Sequence, residues 1–121
     1  GAGNPVLREA LRRAMPDASE LADLPAPAGF VHGYDLTRIL IAAADQAARS
    51  PLWQGSIAEK RHALHTALET LQAPVPGILK TYRSPFSAFD PEACCCGRWA
   101  LGQSDLCLAR FNAAGRLEDA H

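Results

Sequence analysis

Neither sign of charge prevails in this chain: 12 basic residues stand against 13 acidic ones, and the net charge is -1 with the histidines neutral. Neither kind gathers into a run. Without a basic stripe there is nothing to draw in phosphate backbones or anionic lipid, so nucleic acid and membrane surfaces are not expected partners. Long apolar runs are lacking too. The longest strongly apolar stretch, Ile39 to Ala44, falls far short of the roughly 18 to 20 residues that a bilayer span needs. The opening "GAGNPVLREA" has neither the basic start nor the apolar core of a signal peptide, which leaves a cytoplasmic chain or a mature or trimmed piece.

Catalytic signatures are also missing. There is no Gly-x-Ser-x-Gly elbow, no Gly-x-x-x-x-Gly-Lys phosphate loop and no His-Glu-x-x-His pair. Asp90 and Glu92 could form paired carboxylates, but the proline beside them suits an ordinary polar loop. The expectation is a protein that is not an enzyme. Four cysteines are present, and Cys94, Cys95 and Cys96 are consecutive. Adjacent cysteines bridge each other only through a strained ring. The run also lacks the two separated pairs of a structural zinc site, so no metal is expected there.

What is present suits one small unit. With 121 residues, 48% of them hydrophobic, the chain has material for a single core, and residues 1–121 read as one domain or one fragment. Asn4 and Pro5 suit an N-cap and first helical position, with Val6, Leu7, Ala10, Leu11 and Ala14 on one face until Pro16. "DASELADLPAPAG" reads as a connector ending at Gly29, with a helical turn around Glu20 to Leu24. A long helix is expected from Tyr34 to Arg49, with Leu36, Ile39, Leu40, Ala43, Ala44 and Ala47 as its apolar stripe and Asp35 as a favourable charge in its first turn. Ser56 and Glu59 form a capping box for a third helix, whose buried face is expected to carry Ile57, Leu64, Leu68 and Leu71.

His62 and His65, flanked by Glu59 and Glu69, make a row of possible ligands that also reads as ordinary charge pairing on an exposed face. "APVPG" is expected as a turn, "ILKTYR" (78–83) as a short strand and "LCLARF" (106–111) as another, before a turn ending at Gly115. Together these give an α/β chain with three main helices and two or more strands.

Three stretches carry a family resemblance: "GFVHGYDLTRILIAAADQA", "VPGILKTYRSPFSAFDPEA" and "DLCLARFNAAGRL". From Gly29 to Leu117 the chain resembles the C-terminal portion of an ABC-transporter solute-binding protein of the type I periplasmic fold, of the class for branched-chain amino acids, amides and urea. The cysteine run stands outside that pattern.

The resemblance implies part of an α/β lobe, a small amino acid or amide as ligand in the full-length context, an ABC permease as partner and a periplasmic location. It also implies that Phe30 supplies an apolar wall to the ligand while His32 and Tyr34 offer hydrogen bonds; the same aromatics at a helix entrance equally suit a core role. Because only the last part of such a protein is matched, the isolated chain is expected to bind free ligand weakly or not at all. Two strands are too few to cover the apolar faces of two helices. Either a missing lobe or a second copy of the chain is therefore expected to do so, which makes a stand-alone oligomeric or partner-binding module the alternative to transport.

Overall fold

In the computed structural model, which describes residues 3–92 and 99–120, the first helix starts where Asn4 caps it. The Asn4 side chain accepts hydrogen bonds from the amides of Val6 and Leu7 at 3.0 and 3.1 Å, and helix α1 runs Pro5–Ala14 with Ala10 and Leu11 buried. Its outer face ties Glu9 to both Arg12 and Arg13. The connector holds the single helical turn expected there, at Leu21–Asp23, where the Asp23 carboxylate accepts from the amides of Ser19 and Glu20.

Helix α2 spans Pro27–Ala47 and begins seven residues before the expected start at Tyr34. Pro27 explains the difference. Its fixed φ suits the first helical position, and burial of Val31 and Phe30 outweighs the cost of Gly29 and Gly33 within the helix. The aromatic cluster is thus on the helix, not in front of it. The buried stripe differs as well. Val31, Asp35, Ile39, Ala43 and Ala47, each four residues apart, face inward, while Leu36 and Leu40 are exposed.

After a 3₁₀ turn at Pro51–Gln54 comes helix α3 (Ile57–Glu69), and the capping box forms as read: Ser56 N–H donates to Glu59 at 2.7 Å and Glu59 N–H to Ser56 Oγ at 3.3 Å. Ile57 is corrected from the buried face to the surface, 64% exposed, because the face turned to α2 is made of Ala63 and Ala67. Small residues on both helices let their backbones approach, and Ile39, Ala43, Ala47, Ala63, Ala67, Leu71, Val75 and Tyr82 form the main core. Gln46 closes the far end, donating to the Thr70 carbonyl and accepting from the Gln72 amide.

The expected turn at "APVPG" is instead the first strand of a tight hairpin. Strands β1 (Val75–Pro76) and β2 (Thr81–Tyr82) pair antiparallel, and the Gly77 amide donates to the Lys80 carbonyl at 2.9 Å. Ile78 and Leu79 are therefore turn residues. Ile78 and Tyr82 are buried, and Leu79, Thr81 and Arg83 exposed. The strand expected at 106–111 is confined to β3 (Ala109–Phe111), which pairs antiparallel with β4 (Leu117–Asp119) around a turn where Gly115 takes φ 72°. Among the described residues the chain is a mixed helix-and-sheet structure with two separate two-stranded sheets. No described helix is long and apolar enough to cross a membrane. Cys94, Cys95 and Cys96 lie outside the described residues, and the Cys107 thiol is exposed and unpaired.

Candidate functional site

Three elements meet at the turn of the first hairpin, and Asp35 is the group that joins them. Its side chain is 2% exposed. One carboxylate oxygen accepts from the Ile78 amide at 2.6 Å, and the other accepts from the Leu79 amide at 3.1 Å and from the Tyr82 hydroxyl at 2.8 Å. The turn thus loses no backbone donor to the interior, and a buried carboxylate is tolerable because three donors solvate it. Asn4 grips the same turn from the other side, its amide nitrogen donating to the Ile78 carbonyl at 2.8 Å. Gly77 is required by proximity: a Cβ there would sit 2.7 Å from Asp35 Cγ and from the Tyr82 ring. Burial first, and then the hydrogen bond to Asp35 and its negative charge, push the Tyr82 phenol well above its ordinary pKa. Lys80 lies over the Tyr82 ring, 5.5 Å from its centre, and pairs with Asp105.

Beside this clamp, on the preceding residue, Tyr34 is half-buried and stacks with Phe30, ring centres 6.4 Å apart. Phe30 and Tyr34 pack against a second cluster formed by Ala10, Val31 and Ile78. Tyr34 also lines an open groove of about 440 Å³ between α1 and α2, with Val6, Arg13, Thr37, Arg38 and Ile41 among its walls. Glu9, on the rim, is held at a pKa of about 2 by its hydrogen bonds to Arg12 and then Arg13. The three residues expected to touch a ligand are therefore not gathered at one point. Phe30 and Tyr34 are one turn apart on one side, whereas His32 is exposed and stands roughly opposite them, since each residue advances a helix by about 100°.

Comparison with family models, curated proteins and solved structures gives no match.

The groove offers a phenol, a hydroxyl and two guanidinium groups above an apolar wall, a mixture suited to holding a small molecule with one polar end. The Thr37 hydroxyl donates to the Gly33 carbonyl at 2.7 Å, so its remaining capacity is as an acceptor. Elsewhere, Asp90 accepts from the Glu92 amide at 2.9 Å in an exposed turn. In the histidine row, His65 stands 3.5 Å from Glu69 while Glu59 is occupied in its capping box. Among the described residues no three His, Cys, Asp or Glu side chains converge as a metal site.

Reading the sequence missed the part played by Asp35. The available signal was its register: 31, 35, 39, 43 and 47 are four apart, and an acid in an otherwise apolar series of that period is one that the fold must satisfy.

Proposed function

We propose that this chain is part of the solute-binding component of an ABC importer, of the type I periplasmic fold and working in the periplasm. Its ligand would be a branched-chain amino acid, an amide or urea. In the full-length context the ligand would be enclosed together with further polypeptide and delivered to the permease, without chemical change. The observation that carries this reading is the Asp35 clamp. The Tyr34-Asp35 pair and the Val-Pro-Gly-Ile stretch, both within the segments that carry the resemblance, lie 43 residues apart at the bond from Ile78 to Asp35, yet they form one hydrogen-bonded unit. A turn of α2 pinned to a hairpin turn holds Tyr34 rigidly, as a side chain that must meet a small ligand requires. Phe30 backs it with an apolar surface, whereas His32 faces the opposite side of α2 and would meet other polypeptide of the full-length protein.

The test begins with the DNA flanking the coding segment. The reading predicts a frame that continues into further α/β polypeptide, with permease genes nearby. It also predicts that the complete product binds leucine, a short amide or urea in calorimetry, and that Tyr34→Phe weakens binding about tenfold by removing one hydrogen bond. A complete product that binds none of these three, or genes that include no permease, overturns it.

A stand-alone, partner-binding module is the second reading, favoured by one observation. Leu106 and Leu108, just before the C-terminal hairpin, and Phe111 within it are between 73% and 75% exposed, surface that a partner would cover.

A further inference from the structure

We infer that the groove between α1 and α2 takes a small organic anion: a carboxylate with a short apolar tail and, on the carbon beside the carboxylate, a hydroxyl in place of an amine. Tyr34, Thr37, Arg38 and Ile41 follow one another at the spacing of a single helix face and form one wall. Val6, Glu9 and Arg13 of α1 form the other, and Pro76 of β1 contributes as well. Both walls are tied to one residue. Asn4, the cap of α1, donates to the Ile78 carbonyl, and Asp35 of α2 accepts from the Ile78 amide. The separation of the two helices is thereby set before any ligand arrives, which spares binding part of its ordering cost.

Charge selects the occupant. The charged lining is Glu9, Arg13 and Arg38. Both oxygens of Glu9 are engaged by Arg12 and Arg13, so Glu9 and Arg13 balance each other. Arg38 makes no hydrogen bond or ion pair among the described residues. That leaves one uncompensated positive charge on a planar fork of donors, the shape that holds a carboxylate through two parallel bonds. An amide or urea brings no charge to meet it. An amino acid brings the carboxylate but also an ammonium, which would lie near two guanidinium groups with no free acid among the described lining residues.

The hydroxyl groups refine the choice. Thr37 gives its hydrogen to the Gly33 carbonyl, so towards a ligand it accepts. A ligand hydroxyl therefore finds an acceptor on the residue next to Arg38, while the Tyr34 phenol, one turn earlier on the same face, can donate. Val6, Ile41 and Pro76 offer apolar surface to the tail. Inorganic phosphate would use the charge and leave that surface uncovered. The inference takes from the transport reading only that Tyr34 meets a ligand.

Chemical-shift titration of the purified 121-residue chain tests it, with ligands that share one carbon skeleton: leucate (leucine with a hydroxyl in place of its amine), isocaproate, isocaproamide and leucine. Leucate is expected to bind with a dissociation constant of about 1 mM, moving the amides of Val6 to Arg13 and Tyr34 to Ile41. Isocaproate should bind about threefold more weakly, and leucine and isocaproamide about tenfold more weakly or worse. Arg38→Gln is expected to weaken leucate about tenfold with unchanged helical circular dichroism, since Arg38 is exposed. Arg61→Gln, at an exposed arginine of α3 outside the groove, should leave it unchanged. Thr37→Val should bring leucate down to the affinity of isocaproate. The ligand series needs no variant, so it decides the matter even if Arg38→Gln disturbs the fold. Absence of leucate binding overturns the inference, as does leucine or isocaproamide binding equally well. Equal weakening by Arg61→Gln, the mark of a general attraction for anions, also overturns it, and an undiminished preference for leucate in Thr37→Val removes the hydroxyl from its place. Leucate held by this chain while the complete product binds no leucine, amide or urea would sink the transport reading and leave this one standing.

Discussion

The chain contains two β-hairpins, and they are held in opposite ways. The hairpin of β1 and β2 has only two residues in each strand, yet Val75, Gly77, Ile78 and Tyr82 are buried, and at its turn Asn4, the cap of α1, donates a hydrogen bond while Asp35 of α2 accepts others. The hairpin of β3 and β4 has three residues per strand and a better local turn. Asn112 accepts from the amides of Ala114 and Arg116, Gly115 supplies the positive φ, and Arg110 pairs with Glu118 across the strands at 2.8 Å. All three β3 residues are nevertheless exposed. The shorter hairpin is the tertiary one and the longer is the local one. A two-stranded hairpin is marginal in water by itself, so what stabilises β1 and β2 is the buried carboxylate and the apolar residues around it.

Substitutions that separate the two hairpins should span a wide range of effects. The largest is expected at Asp35. Asp35→Ala leaves two amides and a phenol buried without an acceptor, which should cost about 3 kcal/mol or more in urea unfolding; stability within about 0.5 kcal/mol of the parent would show that water replaces the carboxylate.

Gly77→Ala comes next, at about 2 to 3 kcal/mol, because its Cβ would overlap Asp35 and the Tyr82 ring. Here the midpoint of thermal unfolding is the measurement, and an unchanged midpoint would mean that the turn can move away.

Tyr82→Phe removes one of three donors and is expected to cost about 1 to 1.5 kcal/mol. It should also change the response to alkali. The phenol's folded pKa is raised above the ordinary 10.0, so its contribution is complete below pH 10 and is lost as pH rises beyond it, when the unfolded chain can ionise and the folded one resists. Unfolding measured from pH 9 to 11 should show that decline in the parent and a shallower one in Tyr82→Phe; identical slopes would remove Tyr82 from the clamp.

The smallest effect is expected in the other hairpin. Gly115→Ala strains a left-handed residue by about 1 kcal/mol, but with all three β3 residues exposed the loss should stay local. Chemical shifts of 109–119 should move while the main unfolding transition does not. A shift of the whole transition would show that this hairpin belongs to the same cooperative unit as the first.

The starts of α1 and α3 were legible because their caps are local. Asn4 with Pro5, and Ser56 with Glu59, satisfy the free amides of a first turn whatever the rest of the chain does. The turn at Asn112 to Gly115 was legible for the same reason. The aromatic stretch was harder to read. Pro27 was a start signal, but Gly29 and Gly33 masked it, and only packing of Phe30 and Val31 against α1 and Ile78 extends the helix across them.

By itself the sequence determined that there are three helices, the caps at Asn4 and Ser56 and the turn at Asn112 to Gly115, since each rests on backbone groups satisfied within a few residues. Tertiary structure decided which face of α2 is buried. Apolarity alone favoured Leu36 and Leu40, whereas the inward face belongs to the row holding Asp35, because only that row supplies an acceptor for the amides of Ile78 and Leu79. It also decided that Ala63 and Ala67, not Ile57, meet α2, because close approach of two helices favours small side chains over large ones.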